Sequence, residues 1–140
     1  MPSKAPITIL VCEDDPGLRL LLRLAIEPRG YRVVEAGDGD TAILLARNLE
    51  PNLVIVDVNL PDRSGIDVTR TLRGEPGLAA TPILMTTGSA QPADRLAAED
   101  AGVDAFVRKP FDLHALVDEV ERLLTESESY RSALPLRRLR

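Results

Sequence analysis

Five short apolar runs recur along this chain with helix-patterned segments between them, and that alternation leaves few folds open. The runs are ITILVC (7–12), YRVVEA (31–36), NLVIVD (52–57), PILMTT (82–87) and AFV (105–107). Four are continuously apolar, the pattern of strands buried on both faces. The second, with Arg32 and Glu35, reads as an edge strand. After the first run, Asp15 and Pro16 form an N-cap followed by proline in the first turn. Leu18, Leu21, Leu22, Ala25 and Ile26 then recur at helical spacing until Pro28 and Gly30 stop the helix. Asp38 or Asp40 is placed to cap a second helix bearing Ile43, Leu44, Ala46 and Leu49. A third spans about 64–73, and a fourth runs from Gln91 and Pro92 to about Ala101, closed by Gly102. Asp112 caps a fifth, whose Leu113, Leu116, Val117, Val120, Leu123 and Leu124 make one apolar face. Five strands alternating with five helices imply an α/β fold, a parallel sheet covered on both sides.

The 140 residues amount to one domain. Aromatic residues are only 3% of them, so the core must be built from Leu, Val, Ile and Ala. A net charge of -5 argues against direct nucleic-acid binding. No apolar run approaches the roughly 20 residues a membrane span needs. With Cys12 as its single cysteine the chain has no internal disulfide, which fits a reducing, cytoplasmic setting.

Ligands of open parallel sheets bind beyond the carboxyl ends of the strands. The first strand delivers Glu13, Asp14 and Asp15 there, and the third delivers Asp57. The fourth brings Thr86, Thr87, Gly88 and Ser89, and the fifth brings Arg108 and Lys109. Singly, each has a structural reading: Asp15 as a helix cap, Lys109 as a surface or ion-paired residue. His114, on the fifth helix, reads as a surface residue. Together, four strand ends furnish a coherent set. Crowded carboxylates raise one another's pKa, and a cation removes that conflict. Oxygen ligands without His or Cys select a hard ion such as Mg2+, which favours phosphate. Asp57 ends the central run, and a carboxylate can attack phosphorus to form an acyl phosphate.

The ordered series CEDDP, VDVNLPDRSG, PILMTTG and FVRKPFD resembles the receiver domain of bacterial two-component response regulators, over about residues 8–124. The resemblance implies the flavodoxin-like doubly wound five-stranded parallel sheet, order 2-1-3-4-5, for which a receiver protein is itself the stock example. It implies Asp57 as phosphoacceptor and Asp14 as direct metal ligand. Glu13 would hold metal-bound water, and Asn59 would offer its backbone carbonyl to the Mg2+. Thr87 would be the switch hydroxyl, Lys109 the partner of a phosphoryl oxygen, and Phe106 the aromatic switch position, where tyrosine is common in the family. The Lys109–Pro110 bond is expected to be cis. Gly88 stands where alanine is usual and should loosen its loop.

The function implied is a phosphorylation-controlled signalling switch rather than a conventional turnover enzyme. A histidine kinase or phosphotransfer protein would donate the phosphoryl group. The face made by the fourth helix, fifth strand and fifth helix would act on a downstream protein or a second copy. A pseudo-receiver binding module that never carries phosphate is the alternative. A Mg2+-dependent phosphohydrolase is a further one, although such enzymes place an acid where Asn59 stands. Residues 1–124 form the expected receiver and 125–140 a tail, basic at Arg137, Arg138 and Arg140, with no effector domain.

Overall fold

In the computed structural model, residues 6–89 and 91–132 are described, with only the backbone for 128–132. Strands β1 (Thr8–Cys12), β2 (Arg32–Ala36), β3 (Leu53–Asp57), β4 (Ile83–Thr87) and β5 (Ala105–Arg108) alternate with helices α1 (Pro16–Ile26), α2 (Gly39–Leu49), α3 (Gly65–Arg73), α4 (Pro92–Ala101) and α5 (Leu113–Ser132). All pairings are parallel and the order is β2-β1-β3-β4-β5. This is the expected flavodoxin-like sheet, with the polar second run at an edge.

Alternation along each strand divides the core into two layers. Leu10, Cys12, Val54, Val56, Ile83 and Met85 face one side and pack against Ala42, Ile43, Val68, Leu72 and Ala98 of α2, α3 and α4. Ile9, Val11, Leu53, Ile55 and Leu84 face the other and meet Leu22, Ile26, Leu116, Val117, Val120 and Leu123 of α1 and α5. Each fully buried Leu, Ile or Val contributes about 1.5–3 kcal/mol. Both faces are occupied, so the central strands carry no polar alternation.

The helix starts follow the local chemistry. Asp15 Oδ1 accepts the Gly17 N–H at 2.9 Å, and Asp38 Oδ1 accepts that of Thr41 at 2.7 Å. Ser64 Oγ accepts from Asp67 and Asp112 Oδ1 from His114. His114 is exposed, as its position implied. Helix α5 extends beyond Leu124, where the apolar face ends, so the segment expected as tail begins as helix through Ser132. Residues 125–132 contain neither Gly nor Pro, and Arg122 pairs with Glu126 one turn on. Arg137, Arg138 and Arg140 lie outside the described residues.

Gly65 sets how closely α3 approaches β3. A Cβ there would overlap the Asp57 carbonyl oxygen and lie 3.0 Å from Val58 Cα. Both are backbone atoms, which cannot step aside as a flexible side chain can. Gly65→Ala is therefore expected to lower stability in urea denaturation by about 2 kcal/mol or more, within the range for strained small-to-large changes. A loss below about 0.5 kcal/mol would show that the approach is not required.

Candidate phosphoryl and metal site

Strand register brings the candidate residues to one rim. Cys12 pairs with Val56, so Glu13 and Asp57 leave the sheet side by side. Asp57 pairs with Thr86, and Thr87 with Arg108, which places Lys109 one strand further along the same edge. The Lys109 N–H donates to the Thr87 carbonyl at 2.6 Å, and the Lys109–Pro110 peptide is cis as expected.

The Lys109 ammonium reaches two carboxylates, Asp57 Oδ2 at 2.7 Å and Glu13 Oε1 at 2.8 Å. Glu13 and Asp57 are 3% and 4% exposed, whereas Asp14 is exposed. One carboxylate oxygen from each of Glu13, Asp14 and Asp57 lies within 4.8 Å of the others. Asp57 Oδ1 accepts the backbone N–H of Asn59 at 3.0 Å. Burial pushes the Glu13 carboxyl above its ordinary value, partly countered by hydrogen bonds from Lys109 and the Asp15 N–H. Burial pulls the Lys109 ammonium down, but its bonds to Asp57 and Glu13 prevail and hold it raised and charged.

Three carboxylates and one ammonium give the cluster a formal charge of -2. The donors are all oxygen, and the nearby Cys12 does not compete. Its thiol is buried and pushed up to about 12, first by burial and then by Asp38, Asp62, Asp57 and Glu13. A hard divalent cation suits this donor set, whereas a thiophilic metal does not.

The remaining expected residues lie around the cluster. The Thr87 side chain is buried, and its Oγ1 accepts the Ser89 N–H at 3.0 Å. Phe106 lies apart from the acids. Its ring packs against the α2–α3–α4 layer of the core, and the Arg95 guanidinium sits 5.7 Å from its centroid. A Cβ on Gly88 would meet nothing within 4 Å, so no close approach demands glycine there.

Two supporting residues had no signal in sequence spacing. Asp62, in the loop after β3, accepts the Gly39 and Asp40 N–H groups at 2.8 and 2.9 Å. It thereby fastens the loop bearing Asn59 to the start of α2, and those two amides lower its pKa. Arg19 Nη1 donates to the Glu13 carbonyl at 2.8 Å while its Nε bonds Glu35 at 3.0 Å, propping the acidic turn from α1 and β2.

Comparison with known proteins gives this geometry a family. The profile of the response regulator receiver domain matches residues 9–121. The chain belongs to that family. Among relatives of this receiver is the probable transcriptional regulatory protein TcrX of Mycobacterium tuberculosis, 42% identical over 120 residues, covering 85% of this chain and 50% of TcrX. The DNA-binding response regulator MtrA of Mycolicibacterium smegmatis is 38% identical over 120 residues, covering 86% of this chain and 51% of MtrA. The receiver thus spans about half the length of these relatives. A CheY-like receiver domain protein from Methanospirillum hungatei has a structure matching 90% of this chain and 99% of its own, at TM-score 0.85 and 25% identity. The chemotaxis response regulator CheY4 of Vibrio cholerae matches at TM-score 0.81 and 26% identity, over 85% and 99%.

The Arg19–Glu35 prop has a testable pH signature. Burial would raise the Glu35 pKa, but hydrogen bonds from Arg23 and Arg19 outweigh it and hold the value below the ordinary 4.5. A depressed folded pKa contributes stability above the unfolded value and loses it as pH falls through the folded one. Wild type is therefore expected to exceed Glu35→Gln in thermal stability at pH 7, with the gap closing once pH falls below 4.5. A gap that widened in acid would refute this reading of the prop.

Proposed function

We propose that this receiver is a phosphorylation-dependent signalling switch whose phosphoacceptor is Asp57. The observation that chiefly supports the reading is the buried Asp57 carboxylate, bonded to Lys109 and grouped with Glu13 and Asp14 at the sheet mouth. Glu13, Asp14, Asp57 and the Asn59 carbonyl would hold Mg2+, which supplies positive charge against the phosphoryl oxygens.

A carboxylate oxygen of Asp57 bonds to the phosphorus of a phosphohistidine on a histidine kinase or phosphotransfer protein. The P–N bond breaks, its electron pair returns to the ring nitrogen, and a neutral imidazole leaves with its proton on the other nitrogen. An acyl phosphate remains on Asp57. Lys109, which already bonds Asp57, pairs with a phosphoryl oxygen, and the Thr87 hydroxyl turns to donate to another. Catalysis here is positioning and charge compensation, so the protein assists its own phosphorylation without turning over a free substrate.

The new dianion biases the neighbouring elements between two packings. Thr87 on β4 and Phe106 on β5 would connect the site to that face, and Leu96 of α4 is exposed. The face of α4, β5 and α5 would present that change to a downstream protein or a second copy. DNA binding is named for the MtrA relative, of which this chain covers 51%. The proposal for these 140 residues is confined to contacts with proteins.

Incubation with acetyl phosphate and Mg2+, followed by intact mass measurement, tests the assignment. One phosphoryl adduct is expected on wild type, and none on Asp57→Asn or after Mg2+ is removed with EDTA. An undiminished adduct on Asp57→Asn would place the acceptor elsewhere, and none on wild type would favour a phosphate-free binding module.

A further inference from the structure

The Thr87 side chain is buried, and its hydroxyl oxygen is engaged within its own loop. Its Oγ1 accepts the Ser89 N–H, while its carbonyl is fixed by the Lys109 N–H. In the switch proposed above the hydroxyl rotates to a phosphoryl oxygen on Asp57, and a rotation about χ1 gives up the bond to Ser89. Ser89 is held in turn. Its hydroxyl donates to Asp94 Oδ2 at 2.5 Å and accepts the Gln91 N–H at 3.1 Å. Asp94 is the acid of the first turn of α4, and Gln91, the residue before that helix, makes no side-chain capping bond. A capping carboxylate would accept backbone N–H groups, but this one takes a hydroxyl two residues beyond the switch threonine. A line of contacts thus runs from α4 through Ser89 to Thr87.

We propose that Asp94 is a positioning residue that holds Thr87 in its resting orientation through Ser89. This rests on the reading that Asp57 is phosphorylated and that Thr87 answers it. The Asp94 carboxylate fixes the Ser89 side chain, and that aims the Ser89 N–H at Thr87 Oγ1. The resting arrangement gains these bonds, and the phosphorylated arrangement gives up at least the one to Thr87. A contact present in only one of two states shifts their balance by its full free energy. Removing the Asp94 acceptor should therefore favour the arrangement in which Thr87 faces Asp57.

Beryllofluoride, a phosphoryl mimic, tests this in the full chain with saturating Mg2+, by calorimetric titration. Asp94→Ala and Ser89→Ala should each bind it about tenfold more tightly than wild type, the scale of one hydrogen bond to a charged group. Because both act through one line of contacts, the double variant should bind no more tightly than either single. Unchanged or weaker affinity in Asp94→Ala, or additive effects in the double variant, would overturn the proposal. A purely structural role at the start of α4 would lower the melting temperature and leave beryllofluoride affinity alone, which also overturns it. Wild type that binds no beryllofluoride and forms no adduct would instead strike at the phosphoacceptor reading itself.

Discussion

One ammonium shared between two buried carboxylates is the interaction on which the rest of this molecule is arranged. Removing a carboxylate from water costs several kcal/mol unless it is paired and hydrogen-bonded. Glu13 and Asp57 both meet that condition through Lys109, and each also accepts a backbone N–H. Glu13 follows β1, Asp57 ends β3 and Lys109 follows β5. Their meeting therefore requires the parallel order and register across four strands of the sheet. The glycine that lets α3 close on Asp57, and the arginine that props Glu13 from below, serve the same convergence.

The compensation is incomplete, and that is what makes the rim chemically useful. A fully neutralised cluster would have no electrostatic reason to gather a cation or to respond to a phosphoryl group. Here the excess negative charge favours a hard cation, and the one lysine can exchange a carboxylate partner for a phosphoryl oxygen. The surroundings differ in how firmly they are held. The loop after β3 is bound to α2 by two backbone N–H groups that donate to Asp62. The loop after β4 is bound through hydroxyls, Thr87 to Ser89 and Ser89 to Asp94. Rotating a hydroxyl is a smaller rearrangement than peeling a loop from a helix, so in the proposed switch the fourth strand's end would be where a charge change is transmitted.

Much of this was legible in the sequence because it is local or periodic. Continuous apolar runs such as LVIV (53–56) signal burial on both faces, and two core layers result. Asp15, Asp38 and Asp112 cap the helices they precede, since an N-cap depends on neighbours a few residues away. The strand-end acids and Lys109 converge because position at a strand's end fixes where a side chain emerges. What spacing could not reveal is long-range pairing. Asp62 sits in a turn-rich segment, where an acid is unremarkable, and its partners are more than 20 residues away. Arg19 reads as the polar face of α1, and only the packing of β2 beside it reveals the bond to Glu35. The length of α5 escaped pattern reading because its last turns are polar, held by propensity and ion pairing rather than by a buried face.

The central claim is that Glu13, Asp14 and Asp57 act as one cation-binding unit. A Mg2+ titration of the unphosphorylated protein, followed by backbone amide NMR, tests it most directly. The account predicts saturable shifts concentrated at residues 13–15, 57–59 and 109, lost in Asp14→Asn. Shifts that are absent, unsaturable or spread evenly over the acidic surface would contradict it.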